Sequence, residues 1–383
     1  MSYKITFENI IVNISRFLVG VLFIFSGLIK INDPVGFSFK LEEYFGPTVF
    51  DLNFILPFVL PLAIVIVVVE VLLGVALLIG FKKKFTIYSL LAMIVFFTFL
   101  TFYSAYFNVV TDCGCFGDAI KLTPWESFTK DIILLILILA MMIGTSFKTP
   151  GKMSGLNFIK PIFSIKILYT IILISTLSCV FILNQVLSHL PILDFRPYKV
   201  GNNIIENMII PDGAKQDVFQ FDWLFKVNGQ EIIISTNGNY PTVEGEFISV
   251  ETKLIETGYE PPIHDLTMEF DNIDYTEELM GEDKLLIFVL YNLSNSNTKV
   301  INEMKYIREK AKNNNYKVIA LTASGDSAVS NFSKNYQVDL DFYFCDETAL
   351  KTIVRSNPAA LKLNNGNIIQ KVHWNDFDLL QFN

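Results

Sequence analysis

The residues best suited to chemistry are Cys113 and Cys115, two of only four cysteines in the chain. They sit one residue apart in Cys113-Gly114-Cys115-Phe116-Gly117-Asp118, a short break between two long apolar runs. Two thiols at that spacing suit reversible dithiol–disulfide exchange. A disulfide across C-x-C closes a very small ring that cannot relax to preferred geometry, which makes it more reducible and hence more oxidising. Gly114 permits the tight backbone, and Phe116-Gly117 with Asp112 and Asp118 makes a compact turn at the head of a helix. Two plainer readings stand beside this one: inert, half-exposed thiols, or a purely structural disulfide, for which so small a ring is a poor staple. Four cysteines without zinc-type spacing or neighbouring histidines give no expectation of a metal site.

Ionisable residues inside apolar runs are the second constellation. Glu70 lies within Val-Val-Val-Glu-Val-Leu-Leu, where a charge is costly and must face a protein interior. Counted at about 1.5 Å of rise per residue, Arg16 lies at comparable depth on the preceding run, and a Glu70–Arg16 pair is expected. Such a pair either fixes the register of two helices or takes part in proton transfer. Lys30 ends the first run; it either snorkels to the surface or steadies a nearby thiolate or a quinone oxygen. A quinone-like acceptor is the one cofactor the chemistry suggests, and the sequence identifies none.

Positioning these groups requires membrane helices. The chain has 383 residues, 35 of them phenylalanine, and a mean hydropathy of +0.44. Five stretches reach the roughly 20 apolar residues of a span: Ile10–Leu28, Leu56–Gly80, Phe85–Phe107, Trp125–Ser146 and Pro161–Leu187. The first lacks a small-residue cleavage site and carries Arg16, so it reads as a retained helix rather than a signal peptide. Lys82-Lys83-Lys84 and the Lys148, Lys152 and Lys160 loop mark cytoplasmic connections by the positive-inside rule. The loops Lys30–Ile55 and Asn108–Pro124 then face outward. The expected location is a bacterial inner membrane, with five spans, the N-terminus cytoplasmic and the C-terminal half periplasmic. The cysteine pair falls on the oxidising side, where disulfides persist. Residues 1–188 hold 13 Lys and Arg against 10 Asp and Glu, and residues 189–383 hold 17 against 28. A basic membrane half joined to an acidic remainder is the wrong footprint for nucleic acid.

Arg16-Phe17, Phe25-Ser26-Gly27-Leu28-Ile29-Lys30, the intramembrane Glu70 and Cys113-Gly114-Cys115-Phe116-Gly117 together resemble the MauE branch of the DoxX-like membrane proteins, over about residues 8–146. The resemblance implies a four-helix bundle concerned with periplasmic thiol–disulfide chemistry. The family is associated with maturation of a disulfide-rich methylamine dehydrogenase subunit, but family membership fixes fold better than function. A fifth helix and a large outer region set this chain apart and point to another client. Cys179 in the fifth helix reads as a small hydrophobe, with a relay partner for the C-x-C pair as the alternative.

Beyond His189 the chain leaves the membrane through a proline-punctuated stretch. Residues about 200–262 alternate apolar and polar groups around Asn228-Gly229, a strong hairpin signal. From about 263, strands at Leu285–Tyr291, Tyr316–Leu321 and Phe342–Phe344 alternate with helices at Thr298–Lys312, Ser327–Asn335 and Glu347–Val354, before a closing hairpin at Ala359–His373. Such alternation predicts a sheet with crossover helices. It resembles the thioredoxin-like fold of the membrane-anchored TlpA type. Where that family carries C-x-x-C this chain has Leu293-Ser294-Asn295-Ser296, so the fold is expected without its redox centre. Asn357-Pro358 stands where a cis proline borders a client groove. Cys345 reads as a core thiol, and His373 and Trp374 as hairpin packing or groove lining.

The expected fold class is a membrane all-α bundle, a small β module, then an α/β thioredoxin-like unit. The boundaries are 1–150 for the four-helix MauE/DoxX-like domain, 151–195 for the fifth helix and exit, 196–262 for the β-rich module and 263–383 for the thioredoxin-like domain. The first functional reading is thiol–disulfide handling or envelope-protein maturation. Cys113 and Cys115 react, Gly114, Phe116, Gly117, Asp118, Glu70, Arg16 and Lys30 support them, and Asn357 and Pro358 offer a groove to an envelope protein client. The alternative is a redox-silent membrane scaffold that binds envelope proteins. A transporter fits less well, because five spans with one buried acid and no broken-helix pair leave little to conduct through.

Overall fold

The structure, a computed structural model, describes residues 7–110, 116–146 and 163–382. Cys113, Gly114 and Cys115 lie outside the described residues. The N-terminal part is built from long apolar helices: α1 (Phe7–Asn32), α3 (Val59–Ile79), α4 (Lys83–Phe107), α5 (Pro124–Ser146) and α6 (Ile165–Ser188). Among the described residues four candidate spans are long and apolar enough to cross a membrane: Ile11–Asn32, Leu56–Ile79, Lys83–Phe107 and Ile165–Ser188. They imply a lipid bilayer as the solvent of this half of the chain. The fourth expected span forms α5, which carries Glu126, Lys130 and Asp131 near its start.

Helices α1 and α3 pack backbone to backbone. A Cβ on Gly27 would lie 2.6 Å from the Val71 side chain, and one on Gly74 would lie 2.8 Å from the Gly20 carbonyl oxygen. Small residues that let helices approach this closely are the usual means of association in lipid. Helices α4 and α5 close the bundle over a core that includes Val19, Phe23, Leu77, Leu90 and Ile138. Helix α6 packs on α3 and buries little of its own length.

The sequence reading missed α2 (Pro34–Phe45), which occupies part of what was expected to be a loop. Its start is encoded locally. Asp33 is the N-cap and accepts from the Gly36 amide at 2.8 Å, and Pro34 supplies a preset first position. Phe37, Leu41, Tyr44 and Phe45 turn inward against Val59, Ala63 and Val67 of α3.

The C-terminal part is rich in sheet. Strands β1 (Val218–Val227), β2 (Gln230–Thr236) and β3 (Glu246–Glu256) form an antiparallel sheet in the order β2-β1-β3. Its hairpin turns at Asn228 and Gly229, both at positive φ, as the sequence predicts. A seven-stranded sheet follows, in the order β10-β9-β6-β7-β8-β4-β5. Its strands are β4 (Glu269–Phe270), β5 (Ile273–Asp274), β6 (Leu285–Val289), β7 (Lys317–Thr322), β8 (Asp341–Phe344), β9 (Ala359–Asn364) and β10 (Asn367–His373). Strands β6, β7 and β8 are parallel, and β9 runs antiparallel to β6. The short helices α7 (Ile204–Met208) and α8 (Thr276–Met280) precede the central strands. Helices α9 (Ile301–Lys312) and α10 (Asp326–Tyr336) make the crossovers, and α11 (Glu347–Ile353) precedes β9. The buried run Leu285–Val289 is apolar throughout because both its faces are covered. Leu285, Ile287 and Val289 enter one core, Leu286 and Phe288 the other, as the two-residue period of a strand requires. The Asn357–Pro358 peptide bond is cis.

Candidate functional site

Phe116 is the residue that follows Cys115 in the chain. Its buried ring leans on Phe25 with centroids 5.8 Å apart, and the Lys130 ammonium lies 5.1 Å from its centroid. This aromatic anchor meets a polar cluster inside the bundle. Lys130 Nζ pairs with Asp131 Oδ1 at 3.0 Å, and Thr101 Oγ1 donates to Asp131 Oδ2 at 3.0 Å. On the neighbouring helices Lys30 Nζ donates to both Glu70 oxygens, at 3.0 and 2.8 Å, and lies 4.8 Å from the Phe97 ring centroid. Ser26, Lys30, Glu70, Phe116, Lys130 and Asp131 all line one small cavity of about 20 Å³.

The expected Arg16–Glu70 pair is therefore corrected to Lys30–Glu70. The reason is the register of α1 against α3. Gly20 meets Gly74 and Leu78, while Gly27 meets Val67 and Val71. Glu70 is thus level with the Gly27 turn, and Lys30, about one turn further on, reaches its carboxylate. Arg16 is level with the C-terminal end of α3. Its guanidinium caps that end by donating to the carbonyls of Leu77, at 2.9 Å, and Leu78.

A second assembly joins the bundle to the C-terminal part. Arg355, two residues before the cis bond, donates from Nε to Asp33 Oδ2 at 2.8 Å and from Nη2 to Asp118 Oδ2 at 3.1 Å. Asp33 caps α2, and Asp118 belongs to the short helical turn Gly117–Ala119, which follows the cysteine pair in sequence. Gly36 leaves room for this contact, since a Cβ there would lie 2.7 Å from Arg355 Nη2. Burial pushes the Asp33 carboxyl up, but Arg355 and Arg196 pull it below its ordinary value. Asn32 seals the same junction: its amide donates to the Leu193 carbonyl at 2.7 Å and its oxygen accepts the Leu193 N–H at 2.9 Å. Lys351 reaches Glu42 at 3.5 Å. Arg196 bonds Asp194 through Nε at 2.8 Å and the Thr352 carbonyl through Nη1 at 3.3 Å. Lys371 completes the group on Asp194 and on the Tyr198 and Ile353 carbonyls.

Two cavities flank Arg355. The smaller one, about 60 Å³, is bordered by Lys30, Asp33, Phe116, Asp118, Ser127 and Arg196. The wider crevice, about 640 Å³, runs between α2 and α11 and holds Glu42, Lys121, His264, Asp265, Glu347 and Lys351. The structure thus brings Lys30, Glu70 and Phe116 together around one cavity, and Lys30, Phe116, Gly117 and Asp118 around the next. Arg16 borders neither of these two cavities. Asn357 faces its own neighbours: its amide donates to the Asn292 carbonyl at 2.7 Å, and its carbonyl accepts the Asn297 N–H at 2.9 Å. Pro358 is buried. Asn357 is therefore tied to Asn292 and Asn297, the two residues that flank the thiol-free stretch Leu293–Ser296.

Cys179 is buried among Val67, Val71 and Leu183. Cys345 lies in the core beside the sheet, and burial pushes its thiol up to about 12, far from the thiolate needed for exchange. His373 is buried, and burial pulls its imidazole down to about 4. Among the described residues no group of His, Cys, Asp and Glu is arranged to hold a metal ion. Sequence reasoning overlooked Thr101, Lys130, Asp131, Ser127, Arg196 and Arg355. Lys130-Asp131 was findable, because two charges inside an expected span carry the same signal as Glu70. Arg355 had no local signal, since its partners are hundreds of residues away in the chain.

Residues 8–144 match the family described as "Methylamine utilisation protein MauE". The match runs from α1 into α5 and covers less than half of the chain, so this portion of a membrane protein is similar to that family. No curated protein matches the chain.

Proposed function

We propose that this is an inner-membrane protein of thiol–disulfide handling in envelope-protein maturation, with Cys113 and Cys115 as the reacting pair. The observation that carries the reading is the setting of the turn just after them. Phe116 is held against Lys130 and the Lys30–Glu70 cavity, while Asp118 is held by Arg355 from the C-terminal part. A cation near a thiol favours the thiolate, the nucleophile of exchange. Helix α5 serves as a further span, giving five, with the Lys82-Lys83-Lys84 connection cytoplasmic and the sheets periplasmic. Residues 1–150 form the membrane unit, 151–195 the last helix and exit, 196–262 the β module and 263–383 a thioredoxin-like unit. Parallel β6-β7-β8, antiparallel β9 and the cis Asn357–Pro358 bond support that last assignment. Without thiols at Leu293–Ser296, this unit presents an envelope client to the dithiol instead of reacting with it.

The second reading, a redox-silent scaffold, is favoured by one observation: the face at Asn357 is tied to Asn292 and Asn297 and has no thiol of its own. Trapping free thiols with a mass-tagged alkylating agent in intact cells separates the two. On the first reading Cys113 and Cys115 shift between reduced and oxidised forms as client is supplied, and Cys113→Ser with Cys115→Ser leaves client disulfides unformed. A double variant that supports normal client oxidation and growth overturns that reading and leaves the scaffold.

A further inference from the structure

Two buried donors on the smaller cavity beside Arg355 lack acceptors. Ser127, in the first turn of α5, is 0% exposed, and its Oγ has no hydrogen-bond partner among the described residues. Arg196 is 2% exposed; its Nε and Nη1 are bonded, and its Nη2 has no partner among them. Both residues line the same cavity of about 60 Å³. A buried donor left unmet gives up its hydration for nothing, so two of them on one wall indicate a ligand with two oxygen acceptors.

Charge fixes the sign of that ligand. Lys30, Lys40, Lys121, Arg196 and Arg355 line the cavity against two carboxylates, Asp33 and Asp118. Glu70, Glu43 and Asp194 answer Lys30, Lys40 and Arg196 from off the wall, and Asp194 is shared with Lys371. Six cations thus face five carboxylates, which leaves a place for one more negative charge. Burial first, then the neighbouring Arg196, pulls the Lys371 ammonium down to about 7, as in a group with positive charge to spare. The N-terminal end of α5, where Ser127 sits, adds partial positive charge; the matching end of α2 is already taken by Asp33. The volume holds roughly four water molecules. The rest of the wall is largely apolar, with Ile29, Phe37, Phe116, Ile120, Leu122 and Leu193. Such a wall suits a hydrocarbon stem rather than the further charged oxygens of a phosphate. The cavity shares Gly36, Lys40, Asp118, Lys121, Phe195 and Arg355 with the crevice of about 640 Å³ between α2 and α11, so the two adjoin. A water-soluble ligand reaches it from that crevice, which the exposed residues Lys121, His264 and Thr348 border.

We infer that this cavity binds a carboxylate group on a short apolar stem, with Ser127 and Arg196 donating to its two oxygens and the surplus cation balancing its charge. The carboxylate belongs either to a free small acid or to the C-terminal end of a polypeptide lying in the crevice; the recognition chemistry is the same. Binding involves no step at Cys113 or Cys115, so the site stands or falls separately from the thiol–disulfide reading.

The test is calorimetric titration of the full-length protein in lipid nanodiscs. The ligands are propionate, trialanine with a free C-terminus, trialanine amide and inorganic phosphate. Saturable binding of propionate or trialanine is expected, with the amide and phosphate about tenfold weaker or more, since each lacks the charge or the apolar stem. Trialanine bound more tightly than propionate identifies a chain end as the source; propionate bound as tightly or more so identifies a free acid. Ser127→Ala removes one hydrogen bond to a charged group and should weaken binding by about tenfold or more. Ser127→Leu, which fills the cavity, should abolish it, and the alanine variant keeps the test valid if the leucine variant does not fold. Ser15→Ala, at a buried serine that does not line this cavity, should change nothing. No saturable binding of either acid, an amide or phosphate bound as tightly as the acids, or binding indifferent to Ser127→Ala overturns the site and leaves a water-filled pocket.

Discussion

Replacing Glu70 by leucine tests the organisation of the bundle most directly. Both members of the Lys30–Glu70 pair are almost fully enclosed, with side chains 3% and 4% exposed and Nζ 2.8 Å from the nearer oxygen. Removing the carboxylate leaves the ammonium without its counter-charge, beside the Phe37 and Phe97 rings 5.4 and 4.8 Å from their centroids. Those contacts return about 0.5–2 kcal/mol each at most, against about 3–5 kcal/mol for stranding one partner of a buried pair. Glu70→Leu should therefore destabilise the bundle by roughly 3 kcal/mol. Adding Lys30→Met removes the stranded charge and should restore stability to the parent level or slightly above it. The assay is reversible unfolding in mixed micelles, followed by loss of helicity, as a double-mutant cycle. A parallel cycle pairs Glu70→Leu with Arg16→Met and should show coupling near zero, because Arg16 caps the end of α3 instead. Strong Arg16–Glu70 coupling, or additive Lys30 and Glu70 effects, would refute the register derived from Gly20, Gly27 and Gly74.

Two further outcomes follow from the junction and the closing hairpin. Arg355→Gln strands the Asp33 and Asp118 carboxylates and should release the C-terminal part from the bundle, read as new proteolytic cuts in the 189–198 connection; an unchanged digestion pattern refutes the clamp. Asp33 is held below its ordinary carboxylate value, so the clamp is intact at neutral pH and is lost only as pH falls through that depressed value. His373 is held neutral down to about 4, and its Nδ1 accepts the Asn375 N–H at 3.1 Å. The unfolded chain takes up this proton near pH 6.5 and the folded chain does not. Stability of the C-terminal part should therefore fall by about 3 kcal/mol as pH drops from 6.5 to 4, and His373→Gln should flatten that slope in thermal unfolding scans.

Much of the architecture was legible because its signals are local. Apolar runs of span length gave the helices; Asn228-Gly229 gave the hairpin; the uniformly apolar Leu285–Val289 gave a strand covered on both faces. The signals that failed were of two kinds. Helix α2 was readable from Asp33-Pro34 and was lost because a short amphipathic helix hides inside a connection that looks like a loop. Lys30–Glu70 and Arg355–Asp33–Asp118 depend on register and on docking of distant segments, and neither leaves a trace in local spacing. Counting residues from assumed helix ends placed Arg16 beside Glu70; the close approach of Gly20 and Gly27 to α3 set a different register.

The distribution of buried charge carries the functional argument further than any one contact. A buried ion pair is weak evidence for stability, since well-packed apolar residues of similar volume do as well or better. This bundle nevertheless keeps Lys30–Glu70 and Lys130–Asp131–Thr101 in its interior, and both ion pairs line the cavity that Phe116 borders. The junction adds Arg355 with its two carboxylates and Arg196 with an unmet donor. These costs fall at one end of the bundle, next to Phe116 and Asp118, while the Val19–Leu77–Ile138 core is apolar. Selection for stability alone would have spread or removed such charges. Their concentration at one end of the bundle marks that end as the candidate functional site, since ionisable groups kept inside a membrane bundle gather where function needs them.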